Sequence, residues 1–180
     1  MSEAEMNSYR HTSMEETGDE RMAQIMREVA EDARESTRRA EIIVGTSLGG
    51  WMAVMCDSGD AEIVIVNPSV NPVQTLGRWV GQELPYFCRR LDGEQTYTLT
   101  SEVLDKYNGF DFSGELQRKV NRVHALCSSN DELIGDIHIT PLRPLLDGSR
   151  LTVRDDFGHR CSGRGMHHLF EILDWLTASH

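Results

Sequence analysis

The chain has 180 residues, with 29 acidic against 18 basic side chains and a formal charge of −11 at pH 7, a length that fits one domain over residues 1–180. Hydrophobic residues at 39% and charged residues at 26% are enough for a core and exclude a disordered chain, while the negative balance with scattered basic residues argues against binding nucleic acid or an anionic membrane. No apolar run reaches the roughly 18–20 residues that span a bilayer, and the acidic start MSEAEMNSYR lacks the basic and apolar parts of a signal peptide, so the chain is read as cytoplasmic.

In chain order, residues 1–16 read as a flexible arm. Thr17 and Glu20 have capping-box spacing, and Met22, Ile25, Met26, Val29 and Ala33 follow at helical intervals, which predicts an amphipathic helix. Ile42 to Val44 reads as a buried strand ending in Gly45-Thr46-Ser47-Leu48-Gly49-Gly50, and Trp51 to Cys56 as a short helix. Ala61 to Val66 is a second strand, stopped by Asn67-Pro68-Ser69-Val70-Asn71-Pro72. Residues 73–112 read as a cap or long excursion, with aromatic clusters at Trp79, Tyr86 and Phe87 and at Tyr97, Tyr107 and Phe110, and a helix near Ser101 to Lys106. Arg122 to Cys127 is a third strand, Ser128 to Asp136 a polar loop, Ile137 to Leu146 a helix interrupted by Pro141 and Pro144, and Arg150 to Arg154 a fourth strand. The loop Asp155 to Gly163 leads to a last helix with Met166, Leu169, Phe170, Leu173 and Leu176 on one face. Strands alternating with helical segments predict an α/β fold, a three-layer sandwich around a reduced, mainly parallel sheet. Cys56, Cys88, Cys127 and Cys161 form no CxxC pair, so they are read as free thiols rather than as a zinc or redox motif.

Gly45-Thr46-Ser47-Leu48-Gly49 matches G-x-S-x-G between a strand and a helix, the context of a nucleophile elbow. That spacing suits a sharp strand-to-helix turn, where glycines two residues either side leave room for the neighbouring strand and helix. The serine hydroxyl then stands above the sheet near a helix N-terminus, whose dipole favours a developing anion. A glycine-rich phosphate loop is the alternative, but neither G-x-G-x-x-G nor a Walker lysine is present. A serine needs a base held by a carboxylate, in the order Ser, Asp or Glu, His. Asp131 follows the third strand and His159 the fourth, which places both at the carboxyl edge where parallel sheets carry their sites. Glu132 and Asp136 are near enough to replace Asp131 and otherwise read as solvated charges; Asp155 and Asp156 lie close before His159. His124 reads as a packing histidine within a strand, His167 and His168 lie on the last helix, and His180 is terminal. Asp155, Asp156, His159 and His167 have no recognised metal-ligand spacing, so no metal and no cofactor is expected.

These motifs resemble the YqiA/YcfP-like family of small α/β-hydrolase esterases. The resemblance covers about residues 41–178 and rests on IVGTSLGGWMA, VIVNPSVNP, GQELPY, YTLTSEVLDKY, SSNDELI and the glycine-histidine near Phe157 to His159. It implies an esterase of short acyl chains with Ser47 as nucleophile, Asp131 as acid and His159 as base. Family members open with a strand and a His-Gly-Phe segment, expected to supply half of the oxyanion hole. No such segment precedes the elbow strand here, and only 41 residues do. Leu48 N–H supplies one oxyanion donor, and the second has no visible source. Without that strand, Glu41 to Gly45 becomes an apolar sheet edge that invites pairing, predicting a homodimer, a partner protein, or coverage by the residues before Thr17.

Three readings of function follow. In the first, the chain is a serine carboxylesterase acting on a small-molecule ester, with Trp79, Tyr86 and Phe87 lining an acyl or alcohol pocket; plain packing over the sheet is the competing account of those aromatics. In the second, a catalytically weak or inactive hydrolase fold is kept as a binding or regulatory partner, with Arg160 beside His159 disfavouring its protonated form and Arg154 and Arg164 available to clamp an anion. In the third, a partner completes the hydrolase in trans.

Overall fold

The computed structural model describes residues 41–85 and 93–178, all within the compact unit Arg34–His180. The expected arm and first helix, together with Tyr86, Phe87, Cys88 and His180, lie outside the described residues. The elements in order are β1 (Ile42–Thr46), α1 (Leu48–Met55), β2 (Glu62–Val66), α2 (Pro72–Leu76), β3 (Glu83–Pro85), β4 (Thr96–Thr98), α3 (Ser101–Asp105), α4 (Phe112–Arg118), β5 (Val123–Ser128), α5 (Ile139–Leu142), β6 (Leu151–Arg154) and α6 (Arg164–Ala178).

Four strands form a parallel sheet in the order β1-β2-β5-β6. The two central strands are the apolar runs EIVIV and VHALCS, buried along almost their whole length, because helices cover both faces. Alternation along each strand splits the core in two. Ile63, Ile65, Val123, Ala125 and Cys127 face Trp51, Ala53 and Val54 of α1, Phe112 and Leu116 of α4, and Ile139 and Leu142 of α5. Val64, Val66 and Leu126 face Phe157, Cys161 and, from α6, Leu169 and Leu176. Among the described residues β1 is paired on one side only, and Val44 is 44% exposed.

Several boundaries differ from the sequence expectation. The helix expected from Trp51 begins at Leu48, directly after Ser47, so the elbow glycines Gly49 and Gly50 belong to it. Between Ile137 and Leu146 only Ile139–Leu142 is helical, since Pro141 and Pro144 each remove an N–H from the ladder. The excursion holds the antiparallel ribbon β3-β4 and the short helices α2 and α3. An unanticipated helix, α4, follows it. Asp111 caps that helix by accepting the Gly114 N–H at 2.9 Å, and Phe112 and Leu116 are buried.

Candidate active site

Thr46 pairs with Val66 in the parallel ladder, and at Ser47 the chain turns with φ 52° and ψ −120°. A non-glycine residue at positive φ stores strain and persists only where its surroundings hold it. The holding contacts are all backbone: Ser47 N–H donates to the Val66 carbonyl at 2.9 Å, and the Ser47 carbonyl accepts from Gly50, Trp51 and Ser69 at 3.0, 3.3 and 2.9 Å. Packing explains two of the glycines. A Cβ on Gly45 would lie 2.3 Å from the Gly49 carbonyl oxygen, and one on Gly50 would lie 3.0 Å from the Pro68 Cβ, whereas a Cβ on Gly49 would meet nothing within 4 Å. The steric demand read from the motif at Gly49 therefore falls on Gly50, where helix and the turn after β2 touch. Leu48 opens α1, so its N–H has no intrahelical acceptor.

Asp131 lies three residues beyond the end of β5, its side chain wholly buried. One carboxylate oxygen, Oδ2, meets His159 Nδ1 at 2.7 Å. The other, Oδ1, accepts the N–H groups of Leu133 and Ile134 at 2.9 and 2.8 Å. Burial pushes the Asp131 carboxyl up, but the hydrogen bonds from His159, Ile134 and Leu133 outweigh it and hold the group below the usual aspartate value. His159 sits on the loop between β6 and α6 and is only 9% exposed. The structure thus brings Asp131 and His159 into one hydrogen-bonded pair and places Ser47 at the same edge of the sheet. Asn67 connects them in the backbone: it follows the Val66 that accepts from Ser47, and its Nδ2 donates to the His159 carbonyl at 3.0 Å. None of the hydrogen bonds of His159 reaches Ser47.

The other candidates lie elsewhere or do something different. Glu132 accepts the backbone N–H of His159 at 2.9 Å rather than replacing Asp131. Buried His124 lies 3.2 Å from Glu62 Oε2 and 3.1 Å from Arg150, edge-on to Trp175; burial and Arg150 push its pKa down. Surface pairs take up His168, with Asp156 at 3.0 Å and Glu171 at 3.3 Å, and His167, with Glu171 at 3.4 Å. Among the described residues no group of three or more His, Cys, Asp or Glu side chains could hold a metal ion. Arg164 pairs with Asp156 at 3.7 Å. Trp79 is half-buried on the single 3₁₀ turn Gly77–Trp79, with the Arg78 guanidinium 5.0 Å from its ring centre. A cavity of about 300 Å³ beside α1 is lined by Trp51, Tyr107 and Phe110 among others.

Two features escape sequence reasoning. Asn67 reads there only as the end of a strand, although its place at the carboxyl edge was a usable signal. His138, wholly buried with neither ring nitrogen partnered among the described residues, carries no local motif; burial lowers its pKa, partly offset by the charge of Asp131.

A parallel sheet covered by helices, with a strained serine between β1 and α1, defines an α/β-hydrolase fold, and solved structures agree. A carboxylesterase structure from the thaumarchaeon Nitrososphaera gargenis superposes with TM-score 0.55 at 18% identity, covering 86% of this chain and 74% of that one. The esterase domain of a Rhodothermus marinus protein gives 0.53 at 14%, covering 82% of this chain and 64% of that one, so this chain spans less than two thirds of its length. Mouse alpha/beta hydrolase domain-containing protein 10 gives 0.52 at 14%, covering 83% and 68%. No curated protein matches the chain in sequence. The chain belongs to the uncharacterised protein family UPF0227, the YqiA/YcfP family, whose model matches residues 7–177.

Proposed function

We propose that this chain is a serine hydrolase that cleaves small acyl esters through Ser47, His159 and Asp131. The observation that carries the reading is the buried 2.7 Å contact between Asp131 and His159 at the sheet edge that also bears the strained Ser47. In this reading Asp131 fixes the imidazole with its proton on Nδ1, leaving Nε2 to accept the Ser47 proton as Oγ attacks the ester carbonyl. The lowered pKa of Asp131 keeps the carboxylate charged beside the imidazolium that forms. Leu48 N–H, free of an intrahelical acceptor at the start of α1, donates to the oxyanion. The protonated His159 then returns its proton to the leaving alcohol, and water drawn by the same base hydrolyses the acyl-enzyme. Carboxylesterase activity named for the Nitrososphaera structure supports the reaction class.

A fluorophosphonate probe tests the proposal. Labelling of the wild type that disappears in Ser47→Ala is the expected outcome. No labelling between pH 6 and 9 would overturn it and favour the second reading, a hydrolase fold used for binding, which the missing Ser47–His159 hydrogen bond supports.

A further inference from the structure

Apart from Nε2, every polar group of His159 is engaged. Its ring Nδ1 meets Asp131 Oδ2 at 2.7 Å, its backbone N–H donates to Glu132 Oε2 at 2.9 Å, and its carbonyl accepts from Asn67 Nδ2 at 3.0 Å. A loop residue pinned on both sides of its own Cα has a fixed Cα–Cβ direction, and the contact with Asp131 then sets the ring about that axis.

The two backbone anchors are themselves placed by the sheet. Asp131 Oδ1 gathers the N–H groups of Leu133 and Ile134, a tight turn in which Glu132 is the next residue, so one turn presents a carboxylate to the ring and another to the main chain. Gly158 makes room for the second: a Cβ there would lie 2.5 Å from Glu132 Oε2. Asn67 is fully buried at φ 42°, a conformation that Asn and Asp accept more readily than other residues with a side chain. Its Oδ1 accepts the Ser128 N–H at 2.7 Å, at the end of β5, while Nδ2 also reaches the Gly158 carbonyl at 3.2 Å. One amide thus ties the end of β2, the end of β5 and the histidine loop together, one residue from the carbonyl that holds Ser47.

We propose that Glu132 and Asn67 are positioning residues that hold the main chain of His159 so that its free Nε2 is presented to Ser47; this rests on the reading of His159 as the base for Ser47. Misplacing a reacting group by about 1 Å can cost about 100-fold, which sets the scale of the effect.

The test compares the second-order rate of fluorophosphonate labelling in the wild type, Glu132→Gln, Glu132→Ala and Asn67→Asp. Glu132→Gln keeps a neutral oxygen acceptor for the His159 N–H and should stay within about tenfold of the wild type. Glu132→Ala removes it and should fall by about 100-fold. Asn67→Asp keeps the acceptor for Ser128 and the tolerance of positive φ but turns an oxygen toward two carbonyls, so a similar or larger fall is expected. Because a buried carboxylate at position 67 endangers folding, the exposed Glu132 pair decides the matter if that variant is unfolded. Amide hydrogen exchange supplies a readout independent of activity. In Glu132→Ala the His159 amide should exchange faster while the core amide of Val64 stays protected. Faster exchange with labelling at the wild-type rate would overturn the positioning role, as would equal losses in the Gln and Ala variants. If the wild type is not labelled at all, the nucleophile reading falls by itself; unchanged His159 exchange in Glu132→Ala would then overturn the anchor, and faster exchange would support it.

Discussion

Glycine substitutions in the elbow test the packing argument without reference to activity. In Gly45→Ala the new Cβ would stand 2.3 Å from the Gly49 carbonyl oxygen, 2.6 Å from its carbon and 2.8 Å from the Gly50 nitrogen. All three are backbone atoms of α1, so no side chain can swing away, and ordinary contact at about 3.4 Å or beyond requires β1 and α1 to separate by about 1 Å. Overpacking a core costs about 1–3 kcal/mol, and the rigidity on both sides puts this case near about 3 kcal/mol. In Gly49→Ala the new methyl meets nothing within 4 Å, and replacing a helical glycine by alanine gains about 0.5–1 kcal/mol. With a urea m-value of about 2 kcal/mol/M, the midpoint should drop by about 1.5 M for Gly45→Ala and rise by about 0.3–0.5 M for Gly49→Ala. Gly50→Ala, with Pro68 Cβ at 3.0 Å and the Gly45 oxygen at 3.1 Å, should fall between them. Urea melts followed by circular dichroism, with m unchanged, check the order. A Gly45→Ala midpoint equal to the wild type, or a Gly49→Ala midpoint as low as that of Gly45→Ala, would refute the assignment of the steric constraint.

Lys119 Nζ donates to the carbonyls of Val54 and Cys56 at 2.6 and 2.5 Å and thereby closes the C-terminal end of α1; Lys119→Met should lower stability by about 2–3 kcal/mol, seen as a lower urea midpoint. Asp131 is held below its usual pKa in the folded protein, so its stabilising contribution is complete above the unfolded value of about 3.9 and is lost as pH falls through the lower folded value. Asp131→Asn should therefore be less stable than the wild type at pH 7, with the gap shrinking below about pH 4; a gap independent of pH from 7 to 3 would contradict the assigned shift.

The central strands were legible because burial on both faces writes a largely apolar run, as in Ile63 to Val66 and, broken only by His124, in Val123 to Cys127. The ribbon was not: β4 is Thr96–Thr98, exposed at every position, so no face of it is selected for apolarity. Helix α4 escaped because seven residues carrying two buried positions, Phe112 and Leu116, are too few to show a period. The positions of Ser47, Asp131 and His159 after the ends of β1, β5 and β6 were readable from residue type and order along the chain. The contacts of Glu132 and Asn67 were not, because they are made to main-chain groups 27 and 92 residues away.

The placement of Ser47 also shows how a strand paired on one side among the described residues can carry a strained residue. The ladder that orients β1 runs along β2 through all five of its residues, and the Ser47 N–H and carbonyl are held by Val66, Ser69 and the first turn of α1. These anchors lie on the side of β2 and the helix. Lys119 adds a tie from the far end of α1 to α4, and Gly45 and Gly50 let strand, helix and the Pro68 turn approach closely enough for the contacts to form. Strain at positive φ persists where the surroundings over-determine it, and here that condition is met from one side of β1. Among the described residues the anchors of the Ser47 turn therefore all come from β2, the turn after it and α1.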